Sequence, residues 1–332
     1  MRVDLADDDL VARPWDYPGT VPPGSRLLTA GRALPLLPRP GRRLAEAWVA
    51  ATGAPHGEGG PSWPDRLDDA LLAAGAAPLG RRHLVVAVGS NASPAVLTRK
   101  LTAARASTTV PWLRTVVTGL GAGHSAHVSV PGFVAAAPVV RPGAALAGVA
   151  LLLDDRQLAG LDATEPSYRR RWLPATAGLR IVLAGGGRPG GFAVYESRRG
   201  VLAPPGGQPL PLLAQREVHR RLRDGCPGFA DLVPGGDPDG WMRAFAAHPE
   251  CREEAARVLV RGGWVDGSGL TGDRLSGVQV AVRSTKVHWG ERGRAARQPP
   301  VPDGPGSTPA LTGRGRRSAI EGLTGGARAE AR

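Results

Sequence analysis

Cysteine is almost missing from this chain: Cys226 and Cys251 are the only two among 332 residues, and they form no CxxC pair. A disulfide scaffold and a thiolate metal site are therefore not expected. Aromatic residues reach only 5%, while Gly (47) and Pro (32) together approach a quarter of the chain, so parts of it should lack regular structure. Long apolar runs are absent as well. The longest, Leu146 to Leu153, is interrupted by Gly148 and is far too short to span a bilayer. The first ten residues carry four Asp and no apolar core, unlike a signal peptide. A soluble, cytoplasmic protein is the expectation, with no membrane partner.

What remains is a chain long enough for one large or two modest domains, with 42% apolar residues to build a core. The formal charge of +13 raises the question of a polyanion. Its distribution argues against nucleic acid. From Lys286 to Arg332 nine basic residues face four acidic ones in a Gly/Pro-rich stretch, so much of the excess reads as a solvated tail. Arg far outnumbers Lys, a bias that reflects coding composition before function.

Residues 1–82 read as a Pro/Gly-rich extension with two short helices, Arg42 to Thr52 and Pro64 to Ala74, docking through Trp15, Trp48 and Trp63. The texture changes at residue 83. Leu84 to Val88 is a β-branched run that stops at Gly89, and Ser93-Pro94 then opens a helix with Val96, Leu97 and Leu101 on its inner stripe. Strands are expected at Leu113 to Gly119, Ala126 to Val130 and Ala145 to Leu153. A helix over Arg156 to Ala163 follows Asp154-Asp155 and presents Leu158 and Leu161 inward. Glu165 lies just past its end, where Pro166 forbids continuation. Leu179 to Ala184 and Gly191 to Tyr195 read as a hairpin. Pro211 to Asp224 and Glu250 to Arg261 are amphipathic helices in a helical extension over 201–285, and residues 286–332 form a basic disordered tail. The chain contains no internal repeat.

Two segments carry candidate chemistry. Val88-Gly89-Ser90-Asn91 is a strand end, a small-residue turn and a helix entry, whose free N–H groups suit a carboxylate or an oxyanion. Leu161-Asp162-Ala163-Thr164-Glu165-Pro166-Ser167-Tyr168-Arg169-Arg170 places a Glu on a stiff turn beside an aromatic ring, as a proton acceptor and donor would require. A solvated Glu165 paired with Arg169 or Arg170 is the competing reading.

Taken in order, Gly-Ser-Asn after a buried strand, a long β-rich stretch, then Leu-Asp-x-x-Glu-x-x-Tyr-Arg resembles the γ-glutamyl cyclotransferase-like family. Gly143 to Leu153 and the following Asp154-Asp155-x-Gln157-Leu158 look similar to that family too. The resemblance covers about residues 83–200. It implies an α/β (α+β) domain, a small mixed β-barrel with surrounding helices. It also implies an enzyme that closes a γ-glutamyl amide onto its own α-amine, releasing 5-oxoproline and a free amine. Glu165 would be the general acid/base, and Val88, Gly89, Ser90, Asn91 and Tyr168 would bind substrate. Neither a cofactor nor a metal is needed, because ring closure is intramolecular and requires only orientation, one acid/base and oxyanion donors. The partner is a small molecule with a γ-glutamyl or similar acidic group; the sequence leaves oligomeric state open. Two positions depart from the family's pattern: Val88 stands where an aromatic, usually Tyr, precedes the glycine, and Pro166 where Gly is common. Loss of that hydroxyl fits either a changed substrate or a catalytically inactive binding module on the same fold.

Other signals are weaker. Gly119-Leu120-Gly121-Ala122-Gly123 lacks the third glycine and the helix of a dinucleotide loop. His124 and His127 have no ligand-spaced partners and read as structural or solvated. A Ser90, His124 and Asp triad would lack the GxSxG elbow. Trp112, Trp172, Trp241, Trp264 and Trp289 read as packing, and Arg169 to Arg171 and Arg198-Arg199 as solvated surface. Nucleic-acid binding through the basic tail is the third class.

Overall fold

The computed structural model describes residues 8–50, 65–176, 178–234, 236–271 and 273–274. The expected tail after residue 285, and with it Trp289, lies outside these residues, as does Trp63.

The molecule is built on one mixed sheet. β1 (Arg26–Thr29) and β2 (Arg32–Leu37) form a hairpin, followed by the short β3 (Trp48–Val49), β4 (Asp65–Arg66) and the helix α1 (Leu67–Ala73). The helix expected from Arg42 does not form. Only a single 3-10 turn, Leu44–Glu46, is present, because Trp48 and Val49 pair with Leu37 and Leu36 of β2 and tertiary pairing outweighs local spacing.

β5 (His83–Ala87) is buried at every residue, as a central strand covered on both faces must be. Leu84 and Val86 enter one hydrophobic cluster with Phe192 and Leu113, while Val85 and Ala87 enter the opposite one with Trp112 and Leu97. α2 (Pro94–Ala103) begins where expected: Ser93 caps it by accepting the Val96 N–H at 3.3 Å.

The three expected middle strands are two long ones, β6 (Val110–Val128) and β7 (Val134–Leu153), paired antiparallel over most of their length. The ladder slips between Thr118 and Leu120. Gly119 makes that bend possible: its φ is +83°, and a Cβ there would lie 1.9 Å from the Gly178 carbonyl. α3 (Asp155–Ala163) opens with a capping box, in which Gln157 N–H donates to Asp154 Oδ1 and Asp154 N–H to Gln157 Oε1, both at 2.9 Å. Leu158 and Leu161 are buried as expected.

β8 (Tyr168–Pro174), β9 (Arg180–Leu183) and β10 (Gly191–Ser197) do not follow the expected hairpin. β9 pairs with β6, whereas β10 pairs antiparallel with β8 and parallel with β5. This also corrects the expected barrel. The ladder runs β13-β8-β10-β5-β7-β6-β1-β2-β3-β4, where β13 is Asp273–Arg274, and among the described residues no pairing joins β9 to β8 or β10 to close a ring. β9 is paired on one side, with β6. β11 (Val201–Leu202) and β12 (Val265–Asp266) add a small ladder on β6.

Among the described residues of the C-terminal part there are four helices: α4 (Gln215–Gly225), α5 (Pro227–Ala230), α6 (Pro238–Ala247) and α7 (Pro249–Arg261). α4 and α7 fall where amphipathic spacing places them; α5 and α6 were not foreseen. Phe229, Trp241, Phe245 and Leu259 form their shared core with Val128 and Val134 of the β6–β7 hairpin. No described helix is long and apolar enough to cross a membrane.

Candidate active site

Beyond β5 the chain makes a 3-10 turn, Ser90–Ala92, before α2. The Ala92 and Ser93 N–H groups bond to the carbonyls of Gly89 and Ser90 at 2.9 and 3.0 Å, while the Asn91 N–H has no acceptor among the described residues. Gly89 has an ordinary extended φ of −116°, so its missing side chain answers to space and not to backbone conformation. A Cβ at this position would fall 2.5 Å from the Tyr17 hydroxyl and 3.1 Å from the Ala136 methyl.

α3 delivers Glu165 to this turn. The Glu165 N–H bonds back to the Asp162 carbonyl and Tyr168 N–H to the Glu165 carbonyl, so the residue sits in a closed turn between helix and strand. Its side chain is 12% exposed. Oε1 accepts from Asn91 Nδ2 at 2.9 Å and from Lys100 Nζ at 2.6 Å, and Lys100 also donates to Asn91 Oδ1 at 2.8 Å. Oε2 has no protein partner among the described residues. The competing pairing with Arg169 or Arg170 is not formed, because each has another acid. Arg170 makes a two-pronged contact with Asp162 at 3.0 and 2.8 Å, and Arg169 and Arg171 face Glu196. Arg170 and Arg171 are thus buried and paired, not the solvated surface expected of them.

All the singled-out residues, Val88, Gly89, Ser90, Asn91, Glu165 and Tyr168, line one cavity of about 480 Å³. This is a normal size for a small-molecule site. The lining also includes groups that were not anticipated as site residues, among them Tyr17, Lys100, His127 and Tyr195. Lys100 had a readable signal, being one of only two lysines in an arginine-rich chain. Tyr17 had none, since it comes from the far N-terminal segment. Its ring stacks on Phe133 at 4.1 Å, and its hydroxyl accepts the Ala136 N–H at 2.7 Å. An aromatic hydroxyl therefore does stand beside Gly89, delivered from position 17 and not from position 88.

Beside its charged residues, among them Glu165, Lys100 and Arg99, the cavity wall also holds neutral polar groups. Burial raises the Tyr17, Tyr168 and Tyr195 hydroxyls above the ordinary phenol range. Burial, with a smaller contribution from the Arg199 charge, lowers His127 to about 4. His127 Nδ1 lies 2.6 Å from Ser125 Oγ, which in turn meets Ser197 Oγ at 2.7 Å. His124 is structural: Nε2 accepts the Leu213 N–H at 2.9 Å and Nδ1 lies 3.2 Å from the Val134 carbonyl. With both ring nitrogens committed to backbone, no triad with Ser90 is assembled.

No family model and no curated protein matches the chain. Solved structures similar to it include a solution structure of an Arabidopsis thaliana protein, 18% identical over 46% of this chain and 87% of that one with a TM-score of 0.29. An uncharacterized protein from Homo sapiens is 12% identical over 60% and 98%, with a TM-score of 0.28. A gamma-glutamyl cyclotransferase is 11% identical over 60% and 97%, also with a TM-score of 0.28.

Proposed function

We propose that this protein is a γ-glutamyl cyclotransferase-like enzyme, cleaving a γ-glutamyl amide by intramolecular aminolysis. The observation that carries the reading is the meeting of Glu165 with the Gly89-Ser90-Asn91 turn through the 2.9 Å Asn91 contact, at the wall of a cavity of small-molecule size. Ring closure needs the substrate's α-amine, its γ-carbonyl and one proton carrier in a fixed arrangement. Glu165 Oε2 takes the proton as the α-nitrogen bonds to the γ-carbon, and returns it to the departing amine as the amide C–N bond breaks. The products are 5-oxoproline and the free amine. Asn91 and Lys100 hold the carboxylate by its other oxygen, so the working oxygen stays aimed at the substrate. The Asn91 N–H, which has no acceptor among the described residues, meets the oxygen that becomes negative during attack.

A second reading has its own observation. The Lys100 ammonium against Oε1 also suits a carboxylate that only binds, which makes the fold a module for an acidic or amine-bearing metabolite. Incubating the full-length protein with a panel of γ-glutamyl amines and measuring 5-oxoproline separates the two. Product that disappears in Glu165→Gln supports catalysis; no product from any member of the panel, with retained ligand binding, supports the module.

A further inference from the structure

All three tyrosines of the chain line the cavity, and their hydroxyl protons have different fates. Tyr168 donates to the Ala136 carbonyl at 2.8 Å, and Tyr195 donates to Asp162 Oδ1 at 2.8 Å. Tyr17 does the reverse. Its oxygen accepts the Ala136 N–H at 2.7 Å, and its proton goes to no described residue. A buried hydroxyl that already accepts a backbone N–H and gives its own proton to no described residue still has that proton to donate. The group sits against Gly89, at the place where a side chain on that glycine would collide with it, so turn and hydroxyl form one surface. Burial keeps the phenol protonated throughout the neutral range.

The Tyr17 segment is itself anchored to the site. Asp8 Oδ2 accepts from Ser93 Oγ, the cap of α2, at 2.6 Å and from the Thr20 N–H at 2.6 Å. Arg99 Nη1 donates to the Asp8 carbonyl at 3.1 Å. The N-terminal residues are therefore fastened to the same helix that carries Lys100.

We infer that Tyr17 is a ligand-contacting residue of this pocket, donating its uncommitted proton to the γ-carbonyl oxygen as negative charge develops there. The inference rests on the cyclotransferase reading and adds to it a donor supplied from outside the segment that resembles the family. No bond to Tyr17 forms or breaks; it contributes one hydrogen bond that is stronger in the transition state than in the bound substrate.

The test compares full-length wild type, Tyr17→Phe and Glu165→Gln in the 5-oxoproline assay, with thermal melting of each. Tyr17→Phe is expected to lower kcat by about 100-fold with KM changed by less than about three-fold, as loss of an oxyanion donor does. A kcat within about two-fold of wild type, whatever the melting temperature, overturns the inference and leaves the cyclotransferase reading intact. No turnover by wild type sinks both. Should the Phe variant fail to fold, 3-fluorotyrosine placed at position 17 keeps the ring and the accepted N–H bond while strengthening the donor. It should raise kcat by roughly two-fold or more, and an unchanged kcat again overturns the inference.

Discussion

Glu165 and Glu196 are both largely shielded carboxylates, and the contrast between them shows what makes one a candidate for chemistry. Glu196, on β10, has both oxygens occupied. Oε2 accepts from Arg171 at 3.0 and 2.7 Å with Arg169 Nε 3.3 Å away, and Oε1 accepts from Ser268 Oγ at 3.1 Å. It is an internal counter-ion for a row of arginines on β8. Glu165 is held by one oxygen only, and its other oxygen belongs to a cavity wall. A proton carrier needs that vacancy, and a structural ion pair needs its absence. The arginines next to Glu165 in sequence belong to the other acids in space.

The strongest way to break this contrast is to neutralise each acid in turn. Glu165→Gln should lower 5-oxoproline formation by about 100- to 10,000-fold, the usual contribution of general acid/base catalysis, with a smaller loss of stability than at Glu196 because Lys100 is part-exposed and keeps its bond to Asn91 Oδ1. Glu196→Gln should do the opposite, costing about 3–5 kcal/mol in denaturant unfolding because Arg169 and Arg171 lose their counter-charge, while kcat stays within a few-fold. If Glu196→Gln destroys turnover in a folded protein, the division of labour is wrong.

Acid sharpens the comparison next, because buried neutral histidines lie on both the pocket side and the helical side. His124, His127 and His219 are each lowered to about 4, in every case mainly by burial. The unfolded chain takes up these protons near pH 6.5 while the folded one resists until about pH 4, so stability is intact above 6.5 and falls as pH drops through that window. Each histidine contributes on the order of 3 kcal/mol to the loss. Denaturant midpoints between pH 7 and 4 read it directly. His219 lies among Trp15, Trp241 and Phe245, and neither ring nitrogen has a hydrogen-bond partner among the described residues. His219→Leu should therefore flatten the slope by about one proton without touching kcat.

Two smaller effects concern the pocket alone. Gly89→Ala should destabilise by about 1–3 kcal/mol through collision with the Tyr17 hydroxyl, and less in a Tyr17→Phe background, so a double-mutant cycle on unfolding free energy should show coupling. Lys100→Met removes one of the two anchors on Glu165 Oε1 and should lower kcat by roughly ten-fold. Asn91 still holds the same oxygen.

Much of this site was legible because its signals are local. A β-branched run ending at Gly89, the Ser93-Pro94 helix start and the Asp154–Gln157 box each express backbone chemistry within a few residues. The long β6–β7 hairpin was visible only in pieces, since Gly and Pro inside a bent strand look like turns. The partner of β9 was illegible: an apolar run of that length pairs equally well with either neighbour, and only the positions of β5, β6 and β8 decide between them. Tyr17 was hidden for the same reason, because nothing near it records that its hydroxyl will meet a peptide N–H 119 residues further on.

The sequence by itself determined the strand, turn and helix that present Gly89 to Asn91, and the capped helix that ends at Glu165. Those choices depend on φ/ψ preference, capping and burial of short apolar stripes, all of which act along the chain. Tertiary structure alone decided that the sheet stays open, that Arg169 to Arg171 turn to other acids, and that Lys100 and Tyr17 complete the cavity. Such contacts are settled by which surfaces must share one buried space, a competition among distant segments that no local preference encodes.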